Sequence, residues 1–162
     1  IWEGSLRFHS RQGAIPGNAR ADKSMLYPVA EYDHVDPLLQ GNVAIIGGFV
    51  YRDSAVPQLT GKLVFGDNPS GEVFYISADR LPEGGSGAIR RVLLEDNGEA
   101  KTFLEVIRAK NAQQGVRPAS RADLRFGVGP RGKLFLLNKH DGTIRMLVPG
   151  GSNRASRYRR SP

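Results

Sequence analysis

The sequence has no cysteine among its 162 residues. This absence excludes a disulfide framework and any metal site built from thiolates. Long apolar runs are also missing: none approaches the roughly 20 residues that a transmembrane helix needs, so we expect no membrane span. A helical spacing of apolar residues is almost absent from the chain. We therefore expect a core built mainly from strands.

The residues that are present describe an ordinary globular protein. Hydrophobic residues make up 40% of the chain and charged residues 24%, and the length is sufficient for one domain with a core. The 20 glycines and 10 prolines predict many turns. The chain begins with Ile1 and shows no signal peptide, so we expect a mature product or an excised piece of a longer protein.

The net charge of +7 is concentrated at the C-terminus. The tail GGSNRASRYRRSP contains no acid and carries arginines at 154, 157, 159 and 160. Basic tails can bind nucleic acid or an anionic surface, but the rest of the chain lacks the interleaved aromatic and basic residues of single-strand binders. We interpret 150–162 as a flexible basic tail and expect no nucleic-acid partner.

Apolar residues recur with a period near two, which predicts eight strands. These are Val43–Tyr51, Gly61–Phe65, Glu72–Ser77, Ile89–Leu94, Thr102–Arg108, Leu124–Val128, Lys133–Asn138 and Thr143–Leu147. Turn sequences such as DNPSG and HDG separate them. The segment Phe103–Asn111 also allows one helical turn, but its β-branched residues favour a strand. Residues 1–42 are irregular, with one strand expected near Val29–Tyr32.

The strands form two groups of four, at 43–98 and 99–149. Four-stranded antiparallel units that repeat at about 50 residues are typical of propeller blades. An eight-stranded sandwich or barrel fits short alternating strands equally well, so the spacing alone leaves both architectures open. In each case the expected fold class is all-β.

Three sequence runs resemble one family. They are YPVAEYDH, GNVAIIGGFVYRDSAVPQLTGKLVFGDNPSGEVFYI and RADLRFGVGPRGKLFLLNKHDGTIRML. Over about residues 25–148 they are similar to the C-terminal part of the glucose/sorbosone dehydrogenases, the soluble sugar dehydrogenases that use pyrroloquinoline quinone (PQQ). The resemblance implies a six-bladed β-propeller, of which this chain supplies about two blades. Gly47 and Gly48 would then lie on a crowded inner strand.

The resemblance also implies a chemistry. In that family a histidine base helps hydride leave C1 of the sugar for PQQ, and a calcium ion polarises the cofactor. The base and the calcium ligands belong to earlier blades, so we expect the isolated chain to be inactive. The family resemblance further implies a periplasmic or secreted location.

Basic groups in the last two blades of that family bind the carboxylates of the quinone. The corresponding turn here reads FGDNPSG and offers Asp67 where the family has a lysine, and the inner strand of the last blade carries Arg121 and Arg125. The resemblance therefore implies Asp67, Arg121 and Arg125 as cofactor-binding candidates. From the residues alone, Asp67 also fits a role in closing its turn, and Arg125 also fits an ion pair with Asp123 or a neighbouring carboxylate.

The run YDHVD places His34 beside Asp33 and Asp36. One histidine with carboxylates can bind a hard cation, but the spacing matches no defined metal loop. His34 and Asp36 are therefore weak metal candidates, and a structural role in a loop is the alternative. His140, in KHDG, is interpreted as a turn residue.

Three hypotheses follow from these observations. The first is part of a PQQ-dependent dehydrogenase that oxidises an aldose or a related sugar. The second is a non-catalytic propeller-type binding module. The third is a stand-alone β protein that no longer has the function of the family. Two blades of a six-bladed ring leave two open apolar faces, so we expect self-association, either as a trimer that closes the ring or as a dimer.

Overall fold

The computed structural model describes residues 2–3, 6–7, 26–39 and 43–150. The strands are β1 (Trp2–Glu3), β2 (Leu6–Arg7), β3 (Ile45–Val50), β4 (Lys62–Asp67), β5 (Val73–Ser77), β6 (Arg90–Val92), β7 (Leu94–Asp96), β8 (Glu99–Lys101), β9 (Arg125–Val128), β10 (Leu134–Leu137) and β11 (Ile144–Met146). One helix, α1 (Phe103–Gln113), lies between β8 and β9. Every strand pairing in these ranges is antiparallel, so the expected all-β character is confirmed, with one short helix added. The predicted basic tail after Gly150 lies outside the described residues.

The first group of strands forms a four-stranded sheet in the order β3-β4-β5-β6. Its central strands are apolar on both faces, because Phe65 lies opposite Phe74 on one face and Val64 lies opposite Tyr75 on the other. A sheet that is apolar on both faces needs other parts of the chain packed against each face to shield it from water. The four strands expected between 43 and 98 are therefore present, although Ile89–Leu94 divides into β6 and a second strand, β7, that leaves the sheet to pair with β8.

The N-terminal segment covers one face of this sheet. Leu39, Tyr32 and Val43 pack in one cluster with Phe65 and Phe74. The strand predicted near Val29–Tyr32 is wrong, because this segment lies over the sheet face and makes only isolated backbone bonds, such as Glu31 N–H to the Gly85 carbonyl at 3.1 Å. One of the two blade faces expected to be open is thus covered from within the chain.

The other face packs against α1 and a three-stranded sheet in the order β9-β10-β11. The main core lies here, and its fully enclosed side chains include Val64, Phe103, Ile107, Leu134 and Leu136. Both sheets and the helix contribute to it, so neither sheet is an independent unit. Whether the two sheets are blades of a propeller stays a prediction.

The strand predicted at Thr102–Arg108 is wrong, since these residues begin α1. Thr102 is the N-cap, and its hydroxyl accepts a bond from the Glu105 amide at 3.2 Å while the Glu105 carboxylate accepts from the Thr102 amide at 2.7 Å. This reciprocal capping box satisfies two amides that a helix start leaves unpaired. Phe103, Val106 and Ile107 then fall on one buried stripe, so their β-branched members are stabilised by packing despite weak helix propensity.

We expect Thr102→Ala to lower the free energy of unfolding by about 1 kcal/mol at neutral pH, because the cap is lost. The bonds from Thr102 lower the pKa of the Glu105 carboxyl. A lowered folded-state pKa stabilises the protein above the unfolded-state pKa, and this contribution is lost as the pH falls through the folded-state pKa. Urea denaturation at pH 7 and pH 3 should therefore show a smaller difference at pH 3, with Thr102→Ser as the control that keeps the cap. A loss that does not depend on pH would contradict the reciprocal box.

No helix in the described ranges is long and apolar enough to cross a membrane.

Candidate functional site

Asp67 ends β4 and is fully buried. Its carboxylate accepts bonds from the Ala44 amide at 2.8 Å, the Ser70 amide at 2.9 Å, the Ser70 hydroxyl at 2.6 Å and the Tyr32 hydroxyl at 3.5 Å. Burial, together with the Asp67 charge, raises the pKa of Tyr32 and so keeps its hydroxyl protonated and donating. A carboxylate enclosed by these donors presents no surface to a ligand. The geometry favours the turn-closing role over the cofactor-binding one.

The turn that Asp67 closes is docked against the approach to β9. The side chain of Asn68 donates to the Leu124 carbonyl at 3.0 Å, and the Leu124 amide donates back to the Asn68 carbonyl at 3.0 Å. The Asn68 side-chain oxygen accepts from Arg121 at 2.8 Å. The turn at the end of β4 therefore holds Arg121 in position, although Asp67 itself is buried and does not contact Arg121.

Arg121 and Arg125 line one open cleft of about 510 Å³ at the end of the three-stranded sheet. The other lining residues are Asp123, Leu137, Asn138 and Lys139. The structure thus brings together two of the three predicted cofactor residues and leaves the third, Asp67, buried elsewhere. The cleft offers three permanent cations and one carboxylate, so its formal charge favours an anionic ligand.

Asp123 is the centre of the charges in this cleft. Its carboxylate pairs with Arg121 at 2.5 Å and Lys139 at 3.1 Å, and is hydrogen-bonded to His140 Nε2 at 2.9 Å. Burial alone would raise the pKa of Asp123, but the bonds from Lys139 and His140 and the charge of Arg121 outweigh it and lower this pKa. Its backbone φ of 49° lies in the left-handed region, which Asp and Asn adopt more readily than most residues.

Comparison of the chain with family models, with curated proteins and with solved structures found no match. Guanidinium and ammonium groups donate charge-assisted hydrogen bonds, which are short and strong toward carboxylates and phosphates. Leu137 adds an apolar surface beside them. The arrangement can bind an anion that has a flat or apolar body.

Arg125 is the cation in the cleft with the weakest internal attachment. It is exposed, and its guanidinium donates to the adjacent Leu124 carbonyl at 2.8 Å. The ion pair that the sequence allowed between Arg125 and Asp123 is made by Arg121 instead. Arg125 therefore retains donor capacity for a ligand, whereas Arg121 must share its donors with Asp123 and Asn68.

The sequence analysis identified neither Lys139 as a cleft residue nor the contact of the His140 ring with Asp123. In the hairpin of β9 and β10, Arg125 lies opposite Leu137. Continuing this register by two residues places Lys139 opposite Asp123. The signal was therefore in the sequence, but it depends on knowing the hairpin register. His140 does lie in a turn, and in addition its ring reaches Asp123.

His34 and Asp36, the weak metal candidates, lie in a surface loop. Asp36 accepts from the Leu38 amide at 2.9 Å, and Asp33 accepts from the Val35 amide at 3.0 Å. Both are local side-chain-to-backbone bonds that shape the loop. Within the described ranges, no group of three or more acidic or histidine side chains could hold a metal ion.

Proposed function

We propose that this chain is part of a PQQ-dependent sugar dehydrogenase of the glucose/sorbosone type, with the cleft of Arg121 and Arg125 as its contribution to cofactor binding. The observation that carries the proposal is that these two arginines, at and just before the start of β9, lie on one open cleft with Lys139, which follows the neighbouring strand β10. Six-bladed propeller geometry and a periplasmic or secreted location belong to the same proposal.

The residues of the cleft fit the carboxylates of the quinone. Arg125 and Lys139 supply donors toward the open side, and Arg121 is held in place by Asn68. PQQ, when bound, supplies the acceptor for a hydride from an aldose or related sugar, with calcium as its polarising ion. The part of the chain that the structure describes offers no three-ligand group for calcium. Its own residues would therefore bind and orient the cofactor, and we expect no sugar oxidation by the isolated chain.

The test is binding of PQQ to the 162-residue chain at low salt, followed by the absorbance of the quinone after gel filtration. We expect PQQ to elute with the protein, and we expect salt to weaken binding because the contacts are ionic. Benzene-1,3,5-tricarboxylate as a competitor separates a cofactor site from a general anion site. Failure of PQQ to bind at low salt, or dye reduction with a sugar above the blank, would contradict the proposal.

Arg125→Gln is expected to weaken PQQ binding about tenfold, because a charge-assisted bond contributes about 1.5 kcal/mol or more. Arg80→Gln, at an exposed arginine that does not line the cleft, is the matched control and should bind PQQ as tightly as the unsubstituted chain does. Asp123→Asn should tighten binding, because it removes the carboxylate that competes for Arg121 and Lys139 while keeping a residue that tolerates the positive φ. Equal weakening by Arg125→Gln and Arg80→Gln would place the ligand outside this cleft.

The non-catalytic binding module is the second candidate. It is favoured by one specific observation, the burial of Asp67 at the position where the family presents a basic residue to the quinone. If benzene-1,3,5-tricarboxylate elutes with the chain in gel filtration and PQQ does not, this alternative is favoured.

A further inference from the structure

β11 is the open edge of the three-stranded sheet. It pairs with β10 on one side, and no strand of the described residues pairs with it on the other. Its outward residues are apolar and exposed: Ile144 is 66% exposed, Met146 39% and Val148, just beyond the strand, 57%. Natural edge strands are usually protected by lysine, proline or a bulge. The run from Ile144 to Val148 has none of the three, and its one charged residue, Arg145, is paired with Asp141 inside the chain.

The backbone of this edge is directed outward at the same residues. The Leu147 amide donates to the Leu134 carbonyl of β10 at 2.9 Å, which makes these two a hydrogen-bonded pair. In an antiparallel ladder such pairs alternate with pairs whose amides and carbonyls point away from each other. Met146, opposite Phe135, therefore directs its amide and carbonyl toward the open edge, and so does Ile144.

A cleft of about 640 Å³ runs along this edge. Consecutive residues line both of its sides, Met146, Leu147 and Val148 on one and Leu93, Leu94 and Glu95 on the other. Its lining also includes the core residues Leu59 and Leu136, so the cleft extends from the edge of β11 into the space between the two sheets.

We propose that β11 pairs with β11 of a second copy, antiparallel about a two-fold axis at Met146. In this register Met146 lies opposite Met146 of the second copy, and Ile144 lies opposite Val148 of the second copy. Every outward contact is then apolar against apolar, and each of these pairs exchanges two backbone hydrogen bonds. The result is a continuous six-stranded sheet, a usual size.

The charges at the edge are compatible with this register. Arg145 would lie opposite Leu147 of the second copy, so no like charges meet across the axis. Arg145 is already paired with Asp141 at 2.5 Å and packs over the Phe103 ring at 5.7 Å, on the inner face of the sheet. A two-fold interface must be self-complementary, and the row of Ile144, Met146 and Val148 satisfies this requirement because every position in it is apolar.

The test is the mass of the 162-residue chain by light scattering over a series of micromolar concentrations. We expect a dimer at about twice the 17.7 kDa of one chain. Ile144→Lys, which places a charge on each side of the axis, should give a monomer with an unchanged melting temperature at low protein concentration. Val35→Lys is the matched control, since Val35 is an exposed apolar residue in the N-terminal loop, and it should remain dimeric.

Hydrogen exchange gives a readout that does not depend on a variant. The Met146 amide should be protected to a degree that rises with protein concentration, because it points to the open edge and the second copy supplies its acceptor. A monomer throughout the series, a trimer, or a dimer that Ile144→Lys leaves intact would each overturn the proposal. Since the cleft of Arg121 and Arg125 is not used, loss of PQQ binding and loss of dimerisation are independent outcomes.

Discussion

Gly48→Ala is expected to disrupt the four-stranded sheet, whereas Gly47→Ala, one residue earlier, is expected to be nearly neutral. A Cβ at Gly48 would overlap the backbone carbonyl of Val64 on β4. A backbone atom in a paired strand cannot move aside as a side chain can, so β3 would have to separate from β4. We expect the free energy of unfolding to fall by about 3 kcal/mol or more.

At Gly47 a Cβ would meet no atom within 4 Å. Gly47→Ala should therefore change the free energy of unfolding by less than about 0.5 kcal/mol, as is usual for open surface positions. Both variants are measured by urea denaturation with circular dichroism, and each is the control for the other. Equal stability of the two variants would mean that β3 does not lie against β4 as described.

At the paired glycines, the sequence predicts the strand but not which of the two glycines is crowded. The run AIIGGFVYR predicts a strand with little room for side chains, and β3 does occupy Ile45–Val50. The reason for the crowding differs from the expected one. The register of β3 on β4 is irregular between Ile46 and Phe49, and this irregularity brings Gly48, but not Gly47, against the neighbouring backbone. A period-two pattern carries no information on such an irregularity.

The helix was missed for a related reason. The sequence contains the capping signal Thr102-x-x-Glu105, but the β-branched residues after it favour a strand. Val106 and Ile107 are buried between the sheets. Their tertiary packing outweighs a helix-propensity difference on the order of a few tenths of a kcal/mol. Caps are local signals and can be identified from sequence, whereas the burial that stabilises α1 depends on the position of β10.

The sequence predicts the two arginines of the candidate cleft but not the ion pairs around Asp123. Arg121 and Arg125 were identified from a family resemblance, and they do line one surface. The cluster around Asp123 depends on contacts between residues 16 or more positions apart, such as Asp123 with Lys139 and His140. Such contacts are fixed by hairpin register, which the spacing of apolar residues alone does not determine.

Asp67→Ala is expected to destabilise the protein as strongly as Gly48→Ala, although the family resemblance implies Asp67 as a ligand residue. The substitution leaves the amides of Ala44 and Ser70 and two hydroxyls without their acceptor in a partly buried site. A buried donor without a partner costs about 1–3 kcal/mol, and several are created at once. We expect the free energy of unfolding to fall by about 3 kcal/mol or more, measured by urea denaturation at pH 7.

Asp33→Ala is the matched control, because Asp33 makes one similar bond, to the Val35 amide at 3.0 Å, in an exposed loop. Its loss should cost less than about 1 kcal/mol, since water replaces the carboxylate. The pair of variants also decides between the two roles of Asp67. A turn-closing carboxylate gives a large loss of stability, and anion binding weakens in Asp67→Ala only because the docked turn no longer positions Arg121 through Asn68. A ligand-binding carboxylate would give altered binding at unchanged stability, and that result would contradict the enclosed geometry of Asp67.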